Sequence, residues 1–261
     1  MWSYGVRRRG GRIVYRYRGR RRERRGIVLL AVIAISLLLV IGCMFYVRDF
    51  YRADDAALAA MQSDNQVTVE QTDCAAVFMP QEPSAGLIFY PGGKVEYTAY
   101  APLMRELAEE GILCVLTEMP LNLAVLDVNA AEGIPEQYPE VTNWYIGGHS
   151  LGGSMAASYV ADHGDTYEGL VLLASYSTKD LRDTNLRVLS VYGSEDGVLN
   201  QEKYRENKVN LPDSAVEILV DGGNHACFGS YGEQEGDGAT LISPEKQVEE
   251  TVEQIVEFFE G

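Results

Sequence analysis

From about residue 65 onward the chain keeps one rhythm: apolar runs of four to seven residues, separated by stretches with helical spacing. The runs fall at 75–79, 87–90, 112–117, 144–147, 170–174, 188–192 and 216–220. Short runs that are continuous rather than alternating suit strands covered on both faces. Helical patterns occupy 97–110, 151–163 and 244–259. The last has Ser243 as N-cap and Pro244 at the first helical position, and its Val248, Val252, Ile255 and Phe259 recur every three or four residues on one face. Strand alternating with helix predicts an α/β fold, a doubly wound and mostly parallel sheet with helices on both faces. With 46% apolar residues, a body of this size holds one domain with a sizeable core.

A different pattern precedes it. Residues 27–47 are 21 positions without a charge, long enough to cross a bilayer. Residues 1–25 hold eleven Arg and one Glu, and Arg48 and Asp49 follow the run. Basic excess on the N-terminal side predicts that this end stays in the cytoplasm and that the body lies outside the membrane. The chain is therefore read as an Arg-rich cytoplasmic tail over 1–25, a transmembrane signal anchor over 26–47, an Ala-rich helical stalk over 48–64 and the α/β domain over 65–261. Three other readings of the apolar run compete. It resembles a cleaved signal peptide, but continues through Met44 to Val47. Val40-Ile41-Gly42-Cys43 resembles a lipobox, with Cys43 as the lipidated residue. A buried core helix of a soluble protein is the fourth, and the flanking charge argues against it.

The net charge of −16 hides an asymmetry, because beyond residue 25 there are 11 basic and 37 acidic residues. An acidic body repels polyanions, so nucleic acid is not an expected partner. The four cysteines, Cys43, Cys74, Cys114 and Cys227, have neither metal-binding spacing nor a CxxC pair and are read as small apolar residues.

The residues that carry chemistry begin with Gly148-His149-Ser150-Leu151-Gly152, a G-x-S-x-G pattern. A strand precedes it and an Ala-rich helix follows, which is the setting of a nucleophile elbow, a tight turn that lifts a serine hydroxyl out of a sheet. Serine needs a base. Of the three histidines, His149 adjoins the nucleophile and His163 ends the following helix, leaving His225 in Asp221-Gly222-Gly223-Asn224-His225 after the last strand. The chain order Ser, acid, His then directs attention to the loop after 188–192, where Asp196 is the choice and Glu195 its neighbour. Asp180 and Asp183 are weaker rivals. An oxyanion hole needs two backbone donors: Leu151 N–H, and one from the loop Tyr90-Pro91-Gly92-Gly93-Lys94, where Gly93 leads and Lys94 is next. Lys94 is also a possible contact for a substrate carboxylate, against the plainer reading of a solvated lysine.

With those residues in place the body resembles the α/β-hydrolase superfamily, specifically the α/β-hydrolase fold-5 group, whose distant relatives include dienelactone hydrolases and esterases. The segments carrying the likeness are FYPGGKVEYTAYAPL, GGHSLGG, LLASYST, YGSEDGV and GGNHACFG, within 65–261. The resemblance implies a Ser150–Asp196–His225 triad, no metal, no organic cofactor and an N-terminal membrane anchor. The chain departs from the common pattern at Pro91, where many members carry histidine. About twelve residues separate the runs ending near Ala174 and starting near Arg187, too few for the lid that lipase-like members insert, so an open site is expected. The activity implied is hydrolysis of an ester or related acyl bond in a small-molecule or lipid-like substrate. An acyltransferase on the same triad and a non-catalytic module that kept the fold are the alternatives.

Overall fold

The charge-free run near the N-terminus forms one long helix, α1 (Gly19–Arg48). The computed structural model describes residues 19–261, and the chain divides after Arg48 into two compact units. Most of the Arg-rich tail expected over 1–25 lies outside the described residues. Within α1, Arg25–Arg48 is long and apolar enough to cross a membrane. Its 24 residues extend about 36 Å at 1.5 Å per residue, against a hydrocarbon thickness of about 30 Å. None of that stretch is buried within its own unit, and Leu39 and Phe45 are 69% and 73% exposed.

The second unit is built on an eight-stranded sheet. Its strands are β1 (Val67–Gln71), β2 (Ala75–Pro80), β3 (Ala85–Tyr90), β4 (Ile112–Thr117), β5 (Trp144–His149), β6 (Gly169–Leu173), β7 (Arg187–Gly193) and β8 (Val216–Val220). They lie in the order β1-β2-β4-β3-β5-β6-β7-β8. β1 pairs antiparallel with β2, and β2 antiparallel with β4; every later pairing is parallel. Each apolar run in the sequence lies on a strand, and the mostly parallel sheet expected from them is present. β1 carried no apolar run because it is an edge strand with one fully buried residue, Val67.

Helices α3 (Ala101–Glu109) and α6 (Pro244–Glu260) cover one face. Leu103 and Leu107 of α3 and Val248, Val252 and Ile255 of α6 pack there with Leu87 and Phe89 of β3. Helix α4 (Leu151–His163) covers the other face, where Ala156, Ala157 and Val160 meet Ile88 and Tyr90. Successive β3 side chains thus feed opposite cores, as the two-residue period of a strand requires. Ser243 caps α6 by accepting the Lys246 N–H, and Pro244 opens it, as the sequence pattern implied. The helix expected over 97–110 starts as a 3-10 turn over Tyr97–Tyr100 before becoming α3.

The expected stalk is not a separate element. Residues 49–64 belong to the second unit: Tyr51 bridges to Val95, and α2 (Asp55–Ala60) buries Ala57 and Ala60 against the body. The alanines that suggested a free helix are the residues small enough to pack there. α5 (Gln201–Asn207) was not anticipated; it is polar except for buried Tyr204 and begins at Asn200, whose side chain accepts the Lys203 N–H.

Ile255 sits at 0% exposure where α6 meets the sheet. Ile255→Ala is expected to cost about 2–5 kcal/mol through lost burial and the cavity left behind. A lowered urea midpoint with unchanged slope would register it.

Candidate active site

The turn from β5 into α4 is closed by contacts only glycine allows. A Cβ on Gly148 would stand 2.6 Å from the Tyr90 carbonyl oxygen and 2.7 Å from Gly153 N, and one on Gly152 would overlap the carbonyl oxygens of Tyr90 and Pro91. Between these glycines Ser150 adopts φ 52° and ψ −120°, outside the range a serine ordinarily visits. Its N–H donates to the Leu173 carbonyl (2.9 Å) and its carbonyl accepts from Ser175 Oγ (2.7 Å), so neighbouring strand ends hold the strained residue.

Ser150 and His225 line the same cavity, of about 200 Å³, together with Leu151, Ser154, Ser175 and Asn200 among others. His225 is 1% exposed. Its Nδ1 lies 2.9 Å from Asp196 Oδ2, and the Asp196 side chain is fully buried. The other oxygen, Asp196 Oδ1, accepts the N–H groups of Val198 (2.9 Å) and Leu199 (2.7 Å). Asp196 therefore has both oxygens satisfied, which a buried carboxylate requires. The alternative acids stand elsewhere. Glu195 accepts from Ser194 Oγ, and Asp180 pairs with Arg182 at 2.6 Å. Hydrogen bonds from Arg182, side chain first, bring the Asp180 carboxyl down to about 2. His163 accounts for itself at the end of α4, with Nδ1 on the Tyr159 carbonyl and its ring stacked on Tyr159.

Two residues that the sequence did not single out hold the loops carrying Asp196 and His225 together. The Asp237 carboxylate accepts N–H groups from Gly197 (3.0 Å), His225 (3.3 Å) and Ala226 (2.8 Å), so it buckles the loop after β7 to the loop after β8. Gln247 of α6 is fully buried; its Oε1 accepts the Asn224 N–H and its Nε2 donates to the Asn224 carbonyl. Asp237 stands between Gly236 and Gly238 in a stretch that otherwise reads as surface loop, and only its distant partners reveal its role.

The loop after β3 treats its two candidate oxyanion donors differently. Lys94 N–H donates to the Asn122 carbonyl at 2.8 Å, and its ammonium meets the Asp49 carboxylate at 2.8 Å. Gly93 N–H has no acceptor among the described residues. Leu151 is the first residue of α4, where N–H groups have no partner within the helix. A Cβ on Gly93 would stand 2.9 Å from Leu151 Cδ2, so the two candidate donors sit on touching segments.

His149 lies behind this arrangement at 1% exposure, its ring centroid 4.4 Å from that of His225. Tyr100 Oη accepts the Gly92 N–H (3.0 Å) and stands 2.8 Å from His149 Nδ1. With Gly92 donating, the Tyr100 hydroxyl proton goes to His149 Nδ1 and the imidazole proton to Nε2. Nε2 has no hydrogen-bond partner among the described residues. Burial, reinforced by the adjacent His225, holds the His149 pKa well below the ordinary imidazole value.

The comparisons agree with this architecture. The pattern of the Alpha/beta hydrolase family matches residues 86–249, the span from β3 into α6. The chain belongs to the alpha/beta hydrolase family. Est1E from Butyrivibrio proteoclasticus, with ferulic acid bound, superimposes with a TM-score of 0.57 at 14% identity, over 77% of this chain and 99% of that one. The dienelactone hydrolase of Anabaena variabilis gives 0.54 at 12% identity, over 75% and 98%. Carboxylesterase CesB of Bacillus subtilis gives 0.54 at 11%, over 78% and 94%. At such identities the likeness is one of fold. No curated protein matches the chain in sequence.

The low pKa of His149 has a consequence for stability. Unfolded, this imidazole takes a proton near pH 6.5; folded, it stays neutral to lower pH. Its contribution is therefore complete above the unfolded value and is lost as pH falls from there toward the folded value, at up to about 1.4 kcal/mol per pH unit. His149→Gln is expected to flatten the fall in unfolding free energy between about pH 7 and 5, measured by urea titration at each pH.

Proposed function

We propose that the chain is a membrane-anchored serine hydrolase that cleaves an ester or related acyl bond, with residues 26–47 of α1 as anchor, residues 1–25 in the cytoplasm and the hydrolase domain outside. The observation that carries the chemistry is a single cavity faced by Ser150, on its strained turn, and by His225, which is bonded through Nδ1 to buried Asp196. In this reading Ser150 Oγ attacks the substrate carbonyl carbon while His225 Nε2 takes the hydroxyl proton. Asp196 accepts the Nδ1–H bond, which keeps Nε2 free and steadies the imidazolium that forms. Leu151 and Gly93 N–H groups meet the developing oxyanion, each worth roughly 10²–10³ in rate. His225 returns its proton to the leaving alkoxide, leaving an acyl-serine. Water, deprotonated by His225, then cleaves the acyl bond, and Ser150 recovers its proton.

The anchor is supported by an apolar helix that nothing in its own unit covers, and by the arginines before it. The orientation follows from that charge bias. An open site is supported by residues 175–186, which form no helix above the cavity. Its limited volume, below the ~300 Å³ at which pockets for drug-sized ligands begin, favours short acyl groups.

Fluorophosphonate labelling of the whole chain in membranes tests the nucleophile. Ser150→Ala is expected to abolish labelling and Asp196→Asn to slow turnover by about 10³–10⁴; an unlabelled, well-folded wild type would favour a non-catalytic module. On p-nitrophenyl esters, kcat/KM is expected to be at least about 10-fold higher for acetate or butyrate than for palmitate, the cost of a few misplaced methylenes. A profile rising with chain length would refute the short-acyl reading.

A further inference from the structure

The residue after Gly93 is held in a conformation that its side chain disfavours. Lys94 has φ 61°, the left-handed region that a Cβ penalises. It is the third residue of a turn closed by the Val95 N–H on the Gly92 carbonyl (3.3 Å), a place where positive φ ordinarily calls for glycine. Such a residue persists only where its surroundings over-determine it. On one side the Lys94 N–H is fixed to Asn122. On the other stands the segment 49–53. The Tyr51 N–H donates to the Lys94 carbonyl (2.8 Å), and the Glu96 N–H donates back to the Tyr51 carbonyl (2.9 Å). The Ala53 N–H donates to the Glu96 carboxylate (3.0 Å), and Asp49 pairs with the Lys94 ammonium. Tyr51 is itself moored: its ring lies 5.5 Å from that of Tyr231, and its hydroxyl accepts the Glu235 N–H (3.1 Å).

We propose that residues 49–53 are a positioning strap for the oxyanion loop, with the main chain of Tyr51 as its central contact. The inference rests on the reading of Ser150 as nucleophile and Gly93 as oxyanion donor. Gly92 C=O and Gly93 N–H belong to one planar peptide and point in opposite directions. While the turn stays closed, the Gly92 carbonyl faces Val95 and the Gly93 N–H is aimed away from it. Release of Lys94 from the left-handed region would open that turn and let the Gly93 donor swing. An oxyanion donor acts by being in place before charge develops, so a strap that prevents reorientation acts on kcat and leaves ground-state binding alone. Asp49 and Tyr51 touch no reacting atom; they act through Lys94 and its turn.

The test uses the full chain and Tyr51→Pro, which deletes the strap's N–H. Turnover of p-nitrophenyl acetate is expected to fall about 10–100-fold in kcat, with KM changed less than about 3-fold, the size of effect a displaced catalytic group produces. The rate of fluorophosphonate labelling falls alongside. In a Lys94→Gly background, where positive φ needs no enforcement, the same Tyr51→Pro change is expected to cost less than about 3-fold. Equal losses in both backgrounds, or none in either, would overturn the strap. Should Tyr51→Pro lower the thermal midpoint sharply, Asp49→Ala with Glu96→Gln carries the test: a several-fold kcat loss that shrinks in the glycine background supports the strap, and one that does not shrink overturns it. A wild type that takes no label defeats the Ser150 reading and the strap with it, whereas equal labelling of wild type and Tyr51→Pro defeats the strap alone.

Discussion

Two stretches of main chain at the centre of this molecule pass closer than any side chain permits. The carbonyls of Tyr90 and Pro91, at the end of β3, rest against Gly148 and Gly152, which bracket the turn into α4. That approach sets much else. It fixes how far the loop beginning at Pro91 stands from the first turn of α4, and so how far Gly93 stands from Leu151. It forces Ser150 to complete the turn at positive φ, its backbone tied to the ends of β6 and the chain beyond. It also packs β3, β5 and α4 as one block, from which the rest of the parallel sheet extends. A methyl group at either glycine would separate the segments and lose the geometry at both ends.

The opposite wall of the cavity is held by polar contacts instead of close packing. Asp196 and His225 are buried together, and a buried carboxylate is tolerable only when its oxygens find partners. Main-chain N–H groups of its own loop hold Asp196, while the Asp237 carboxylate accepts the His225 main-chain N–H and Gln247 reaches from α6 to Asn224. The arrangement spans three elements far apart in sequence. It lets a loop rich in glycine hold a fixed shape without a hydrophobic core of its own.

Those differences decide what was legible in the sequence. Strands β2 to β7 announced themselves as continuous apolar runs because most of their residues are buried on both faces, and α6 as a face of apolar residues at helical spacing; β8, the other edge strand, showed through Val216, Ile218, Leu219 and Val220, of which only Val220 is buried. Ser150, Asp196 and His225 were singled out by motif and chain order, and the structure brings Ser150 and His225 to one cavity with Asp196 on His225 Nδ1. Strand β1 was missed because Val67 and Val69 are its only apolar residues and just Val67 is buried, and α5 because its one buried side chain leaves no periodic signal. The segment 48–64 was misread for a related reason: small alanines pack as well against a body as they serve in an isolated helix, and composition does not separate the two. Asp237, Gln247, Tyr100 and Tyr51 were out of reach altogether, since what distinguishes each is a partner between 8 and 184 residues away.

The strap also bears on how such a protein is matured. Asp49 follows directly on Arg48, the last residue of α1, so no spacer in the chain separates the apolar helix from the residues that brace the loop. A peptidase acting ahead of Asp49 would release the body with its bracing whole, and lipidation at Cys43 would preserve it too. A sheddase cutting a few residues further on would free a body that folds on the same cores but has lost its hold on the turn at Lys94. On the function and the strap proposed above, secretion and inactivation would be separated by a handful of peptide bonds, and the position of the scissile bond would determine which of the two a processing event brings about.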